Sequence, residues 1–225
     1  VAHELASLGA MVILSGRTQA KLDAVAAEIA EDGGVCHTAA FDIRDEEAVK
    51  AGVQQVLAAH GPVSGLVIFA RTSKALERMS EMFRKRDIQK TYWAVTRRKP
   101  DPIKGKLSHW LLKNEATNTT TAYDYPEGKA QKAELNYKLL GKINLHYLIE
   151  VEPITGRPHQ IRVQLASLGC PIRGDIKYGY DRPNPDASIN LHARRLYFIH
   201  PIKKTPIICK AAVPENPFWE EFLEL

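Results

Sequence analysis

The 225 residues are 44% hydrophobic and 25% charged, an ordinary balance for a chain that buries a core, and long enough for one domain or two small ones. No apolar run approaches the roughly 20 residues that cross a bilayer, and Val1-Ala2-His3-Glu4 lacks the layout of a signal peptide, so a cytoplasmic protein without a membrane segment is expected. Formal charge is +5, yet residues 1–63 hold four Lys/Arg against nine Asp/Glu, a balance of −5 that leaves +10 on residues 64–225. That step marks two parts with different partners: the basic part is either a polyanion-binding face or a solvated surface.

Val1 to Leu8 reads as the end of a helix stopped by Gly9, and Met11 to Leu14 as a short buried strand. A helix follows, with Thr18 at its cap, Leu22, Val25, Ala26 and Ile29 on one face, and Gly33-Gly34 at its end. Val35 to Phe41 predicts a strand. Asp45-Glu46-Glu47 then places negative charge at the start of a third helix that turns Val49, Val53, Val56 and Leu57 inward, closed by Gly61-Pro62. The alternation is that of βα units.

From Ser64 the rhythm changes. Leu66 to Ala70 predicts a strand, Ser73 to Arg86 a charged amphipathic helix, and Lys90 to Val95 a strand ending at the basic run Arg97-Arg98-Lys99. The polar stretch Asn114 to Lys132 reads as loop or edge structure. Leu135 to Leu140 and Leu145 to Val151 alternate as paired strands do, with a turn near Gly141-Lys142, and His159 to Leu168 predicts a helix stopped by Gly169 and Pro171. Cys36, Cys170 and Cys209 are isolated, which argues for buried thiols over a disulfide framework or a zinc site; no metal is expected.

Leu5-Ala6-x-x-Gly9-Ala10-x-Val12, Ser15-Gly16-Arg17, Phe41-Asp42-Ile43-Arg44-Asp45 and His60-Gly61-Pro62-Val63 resemble the early part of a short-chain dehydrogenase/reductase. The resemblance implies that Arg17 would face the 2′-phosphate of NADP and Asp42 the adenine. No glycine-rich turn stands before the first helix to cradle the pyrophosphate, so this is half a cofactor site, Arg17 and Asp42 default to surface or capping residues, and no cofactor is expected. Tyr125 and Lys129 have the spacing of that family's proton-transfer pair, but they enclose Pro126-Glu127-Gly128, which reads as a turn.

Gly156-Arg157-Pro158-His159-Gln160-Ile161-Arg162-Val163-Gln164-Leu165-Ala166, followed by Gly169-Cys170-Pro171-Ile172-x-Gly174-Asp175-x-x-Tyr178-Gly179, is similar to a signature of the RluA-like pseudouridine synthases. Ser64 to Thr72, Gln89 to Val95 and Leu191-His192-Ala193 match further blocks of that family in order. The resemblance implies an enzyme that isomerises a uridine of structured RNA, tRNA or rRNA, without a cofactor, on a base taken out of its stack. It assigns Tyr92 to pack against the flipped base and Arg162 to hold the catalytic aspartate. Taken without the resemblance, Arg162 in an apolar stretch needs an anion, and a structural ion pair with Asp175 is the alternative; Tyr92 is equally a core aromatic. Arg157 is a candidate RNA contact, and His159 and Gln160 touch RNA, orient their own loop, or are the polar groups that a helix start favours with no further role. Arg97, Arg98, Lys99, Lys104, Lys106 and Lys113 are candidate phosphate contacts or a hydrated surface.

The family's aspartate block precedes the strand at Leu66, and counting back from Ser64-Gly65 puts His60 at the aspartate position. A histidine has no carboxylate, so an impaired isomerase is expected. The two resemblances meet within His60 to Leu66, the pattern of a chimera: residues 1–63 as a reductase-like fragment and 64–225 as a synthase domain without its nucleophile block. The expected fold is α+β, a partial synthase mixed sheet with flanking helices behind βα units resembling half a Rossmann domain. A silent RNA-binding module and an NADP-binding reductase fragment are the alternatives, and oligomeric state is open.

Overall fold

The computed structural model describes residues 12–42, 44–60, 73–214 and 217–224. They fall into two compact units, one of described residues up to Lys85 and one from Arg86 onward. The expected Val1 to Leu8 helix and Leu66 to Ala70 strand lie outside the described residues, as do the side chains of Leu57 and His60.

In the first unit β1 (Val12–Gly16) and β2 (Cys36–Ala40) pair in parallel, joined by α1 (Gln19–Glu31). Ile29 is fully buried against Val12, with Leu14, Val25 and Cys36 around it, which is the apolar face read from the sequence. Gly33 takes a left-handed φ of 75°, and the Gly33 and Gly34 amides donate to the carbonyls of Ala30 and Ile29, satisfying the helix end. Thr18 stands at the N-cap in extended conformation, but its side chain caps nothing. Its carbonyl instead receives the Lys21 and Leu22 amides. The next helix, α2 (Glu46–His60), is capped by the Asp45 carboxylate, which accepts from the amides of Glu47 and Ala48 at 3.0 and 3.2 Å. α3 (Ser73–Lys85) completes the unit.

The second unit is a seven-stranded sheet of β3 (Gln89–Thr96), β4 (Lys104–Asn114), β5 (Thr119–Tyr123), β6 (Gln131–Ile143), β7 (His146–Pro153), β8 (Leu191–Ile199) and β9 (Pro206–Lys210). Its order is β5-β4-β6-β7-β3-β8-β9, and every described pairing is antiparallel, not mixed as expected. Short connections join β4 to β5, β6 to β7 and β8 to β9, and such hairpins can only produce antiparallel neighbours. At the centre, alternate residues of β3 serve opposite faces. Ala94, with Tyr92 beside it, joins Leu135, Ile149, Val151, Ile161, Leu165 and Ile172; Val95, with Trp93, joins Leu148, Val213, Trp219 and Phe222.

The first of those faces is covered by α4 (Gln160–Ser167), the second by the C-terminal turn of helix α5 (Pro217–Glu220) and its 3₁₀ continuation. α4 closes as expected: Gly169 is left-handed, and the Gly169 and Cys170 amides return to the carbonyls of Ala166 and Leu165. The turn expected at Gly141-Lys142 is displaced. Asn144, at φ 53°, makes the β6–β7 turn, and Gly141 sits where the register slips between Leu139 and Gly141, the usual place of a glycine in a bulge. Among the described residues no helix is long and apolar enough to cross a membrane, and no three His, Cys, Asp or Glu are grouped to hold a metal ion.

Candidate active site

The signature segment forms one connected structure in the second unit. β7 ends at Pro153, and the chain turns through Thr155 to His159 before entering α4. Gln160 holds that turn: its side-chain oxygen accepts from the Thr155 hydroxyl at 2.7 Å and the Arg157 amide at 3.0 Å, and its amide donates to the Glu134 carbonyl at 3.0 Å. With its side chain buried and bonded at both its oxygen and its amide, Gln160 holds the loop in place. Arg157 is half-buried, its Nε donating to the Lys132 carbonyl at 3.2 Å.

Ile161 and Leu165 of α4 enter the main core and Val163 a smaller one with Leu111 and Ala133, so two sides of the helix are apolar. Arg162 lies between them. Its Nε and Nη2 donate to the two Asp175 oxygens at 2.7 and 2.8 Å, and the pair is 16% and 1% exposed. The ion pair considered for Arg162 on residue chemistry alone is therefore the one formed. Nη1 has no hydrogen-bond partner among the described residues.

Asp175 is placed by its own backbone. Gly174 takes φ 85°, and a Cβ there would fall 2.5 Å from the Ser188 carbonyl oxygen and 2.6 Å from Asn184 Nδ2. Only glycine fits so close an approach. Preceding it, the Arg173 amide donates to the Val95 carbonyl at 2.8 Å, pinning the segment to the central strand. Following it, the Tyr178 and Tyr180 amides both return to the Asp175 carbonyl.

Tyr178 supports the other side of Arg162, whose guanidinium carbon stands 4.9 Å from the ring centroid. The Tyr178 hydroxyl lies 2.6 Å from His159 Nδ1 and accepts the Thr120 amide at 2.8 Å. His159 is left-handed at φ 54° and 2% exposed, and its buried Nε2 has no hydrogen-bond partner among the described residues. Burial, then the cations of Arg162 and Lys177, pull its pKa down to about 4, so the ring is neutral near pH 7.

Tyr92 lies in β3 opposite Val151 and Ala193, packed against the core cluster that includes Ile161 and Leu165. Burial pushes its hydroxyl above the usual tyrosine range. Arg97, Arg98 and Lys99 are exposed just past the end of β3. Arg97 reaches Asp181 at 3.4 Å, and with Arg98, Tyr178, Gly179 and Tyr180 these residues line a cleft of about 570 Å³. Of the remaining lysines, Lys106 pairs with Glu134 at 2.7 Å and Lys113 with Glu115 at 2.6 Å.

Arg17 is exposed, and Asp42 is held by Arg44, whose guanidinium bonds and backbone amide keep that carboxyl well below the usual range. Tyr125 is exposed in the irregular stretch between β5 and β6 together with Lys129, not on a helix. His60 is the last residue of α2. Two groups carried no role in the sequence reading, Tyr178 and Thr120. The spacing Gly174-Asp175-x-x-Tyr178-Gly179 signalled the first; nothing local signals the second, because its backbone amide is what matters.

Residues 60–167 match the family model described as RNA pseudouridylate synthase, and residues 1–93 match the model described as short chain dehydrogenase; the two share residues 60–93. The chain is similar to tRNA pseudouridine synthase C of Vibrio parahaemolyticus, 30% identical over 178 residues, covering 71% of each chain. It is also 30% identical over 218 residues to tRNA pseudouridine synthase C of Salmonella typhi, covering 85% of this chain and 82% of that one. The ribosomal large subunit pseudouridine synthase C of Rickettsia bellii is 32% identical over 153 residues, covering 67% of this chain and 50% of the relative. Among solved structures, human RNA pseudouridylate synthase domain containing 4 superposes with a TM-score of 0.56 at 22% identity, over 82% of this chain and 85% of that one, a likeness of fold.

Proposed function

The chain belongs to the RNA pseudouridylate synthase family, and on that premise we propose that its basic part binds structured RNA, tRNA or rRNA, around Arg162 and Tyr92, with uridine isomerisation impaired. The carrying observation is Arg162. Asp175 grips one edge of its guanidinium and leaves Nη1 for a second anion, and the resemblance pairs this arginine with the family's catalytic aspartate. His60 stands at that aspartate's place in the sequence and brings no carboxylate. The relatives' names point to tRNA and to ribosomal RNA alike. Arg157, Arg97, Arg98 and Lys99 are the phosphate contacts of this reading, with the cleft at Arg97 and Arg98 as their focus.

Residues 1–63 we read as a joined reductase-like piece without a working NADP site, since Asp42 is already engaged by Arg44. A catalytically silent RNA-binding module is the second reading, favoured by His60. Tritium release from 5-tritiated uridine in transcribed RNA, by this chain and by His60→Asp, separates the two. Release only by His60→Asp is the expected result. Silence from both, with RNA retained on a filter, leaves the binding module; release by the unaltered chain removes the claim of impairment. NADPH binding in a fluorescence titration would restore the reductase-like piece to function.

A further inference from the structure

The β4–β5 hairpin is tied to the Arg162 site by three bonds that its own ladder does not require. The Thr120 amide donates to the Tyr178 hydroxyl at 2.8 Å, the Thr120 hydroxyl to the Pro158 carbonyl at 3.1 Å, and Lys177 Nζ to the Asn118 carbonyl at 3.0 Å. The phenol oxygen accepts the Thr120 N–H and lies 2.6 Å from His159 Nδ1, so a single proton, carried by the phenol or by the imidazole according to the ring's tautomer, joins Tyr178 to His159. Both bonds at the hydroxyl fix the plane and height of the ring that lies 4.9 Å below the Arg162 guanidinium.

We infer that Tyr178 is a positioning residue: through it the docked β4–β5 hairpin and His159 hold Arg162, so that Nη1 faces one direction only while the hairpin is seated. The inference rests on the reading of Arg162 given above, and concerns a residue that acts through Arg162 and not on the reacting atoms. Asp175 fixes one edge of the guanidinium but leaves it free to tilt about that edge. The Tyr178 face closes that remaining freedom.

Nuclear magnetic resonance of the Arg162 Nε–H in the full chain, assigned by its loss in Arg162→Lys, tests this without requiring turnover. Tyr178→Phe keeps the ring and removes both hydroxyl bonds. Solvent exchange at Arg162 Nε–H should then speed by about tenfold, the worth of one to two lost hydrogen bonds, while the unfolding midpoint of Thr121→Val, a neighbour outside the tie, and its Arg162 exchange stay as in the unaltered chain. Thr120→Pro, which deletes the donor amide on an edge strand where proline is tolerated, should act in the same direction with Tyr178 intact. Unchanged exchange in both Tyr178→Phe and Thr120→Pro would overturn the inference, and so would equal acceleration in Thr121→Val, which would mark general loosening. If His60→Asp turns over, adding Tyr178→Phe should lower kcat about tenfold with KM unchanged, since one positioning bond is lost. Silence of His60→Asp beside fast exchange in Tyr178→Phe would reject the isomerase reading and leave Tyr178 positioning Arg162.

Discussion

Asp175 meets Arg162 along the Nε–Nη2 edge at 2.7 and 2.8 Å, with the carboxylate only 1% exposed. An arginine on a helix whose other sides enter two apolar clusters would be costly alone. The carboxylate offsets that cost before any ligand arrives, so the site is built whether or not a second anion is present. Removing one partner is the sharper test than removing both. Asp175→Asn leaves an uncompensated cation and should destabilise the second unit by about 3 kcal/mol in urea unfolding, whereas Arg162→Met with Asp175→Leu should come within about 1 kcal/mol of the unaltered chain.

His159 makes stability depend on pH in a stated window. Its folded pKa is lowered to about 4 by burial first, then by Arg162, Lys177 and Lys113, with Asp175 opposing them. The unfolded chain titrates near the ordinary value of about 6.5. Between those values the unfolded state binds a proton that the folded state does not, so stability is complete above pH 6.5, falls as pH drops, and has lost this contribution below pH 4. The contribution is on the order of 3 kcal/mol. Unfolding followed from pH 7 to pH 4 should show a slope that His159→Asn flattens; asparagine is chosen because it tolerates the left-handed backbone found there.

Gly174→Ala tests the placement of Asp175 from behind. A methyl group would stand 2.5 Å from a backbone oxygen that cannot swing aside, on a backbone at φ 85°. The expected loss is about 2 kcal/mol or more in unfolding free energy. RNA retention should fall as well, because the segment carrying Asp175, Tyr178 and Asp181 would shift as one piece. Gly128→Ala, also left-handed but with open space around its Cβ, is the comparison, and should cost only the backbone strain of about 1 kcal/mol.

What the sequence disclosed and what it hid divide along physical lines. Helix ends were legible because glycine at a left-handed position is a local signal: Gly33 and Gly169 both stop helices as expected. The strand Lys104–Asn114 was not foreseen, since one of its faces is wet and Lys104, Lys106 and Lys113 mask the alternation. Gly141 misled in the other direction, because a bulge and a turn call for the same residue. At the site, Arg162 and its Asp175 partner could be reasoned out from the cost of a buried charge. Tyr178 could not be assigned its place under Arg162, because the groups that hold it, Thr120 and His159, are distant in sequence from one another and one acts through its backbone. Gln160 and His159 were candidates for RNA contact by their polarity, yet the fold turns both inward.

Arg97 provides a graded test of the basic cleft. It faces Asp181 at 3.4 Å, with both side chains about half exposed or more, so the pair is weak and an arriving phosphate can compete for the guanidinium. Neutralising the arginine and neutralising its partner should therefore act in opposite directions. Arg97→Gln with Arg98→Gln should weaken filter binding of structured RNA and reduce the slope of log affinity against log salt by about 1 to 2, one for each phosphate that is no longer neutralised. Asp181→Asn releases Arg97 and should tighten binding about two- to fivefold at low salt, an advantage that shrinks as salt rises. Equal weakening by Asp181→Asn and by the arginine changes would instead mean that the cleft acts through its shape, and that Asp181 supports its wall.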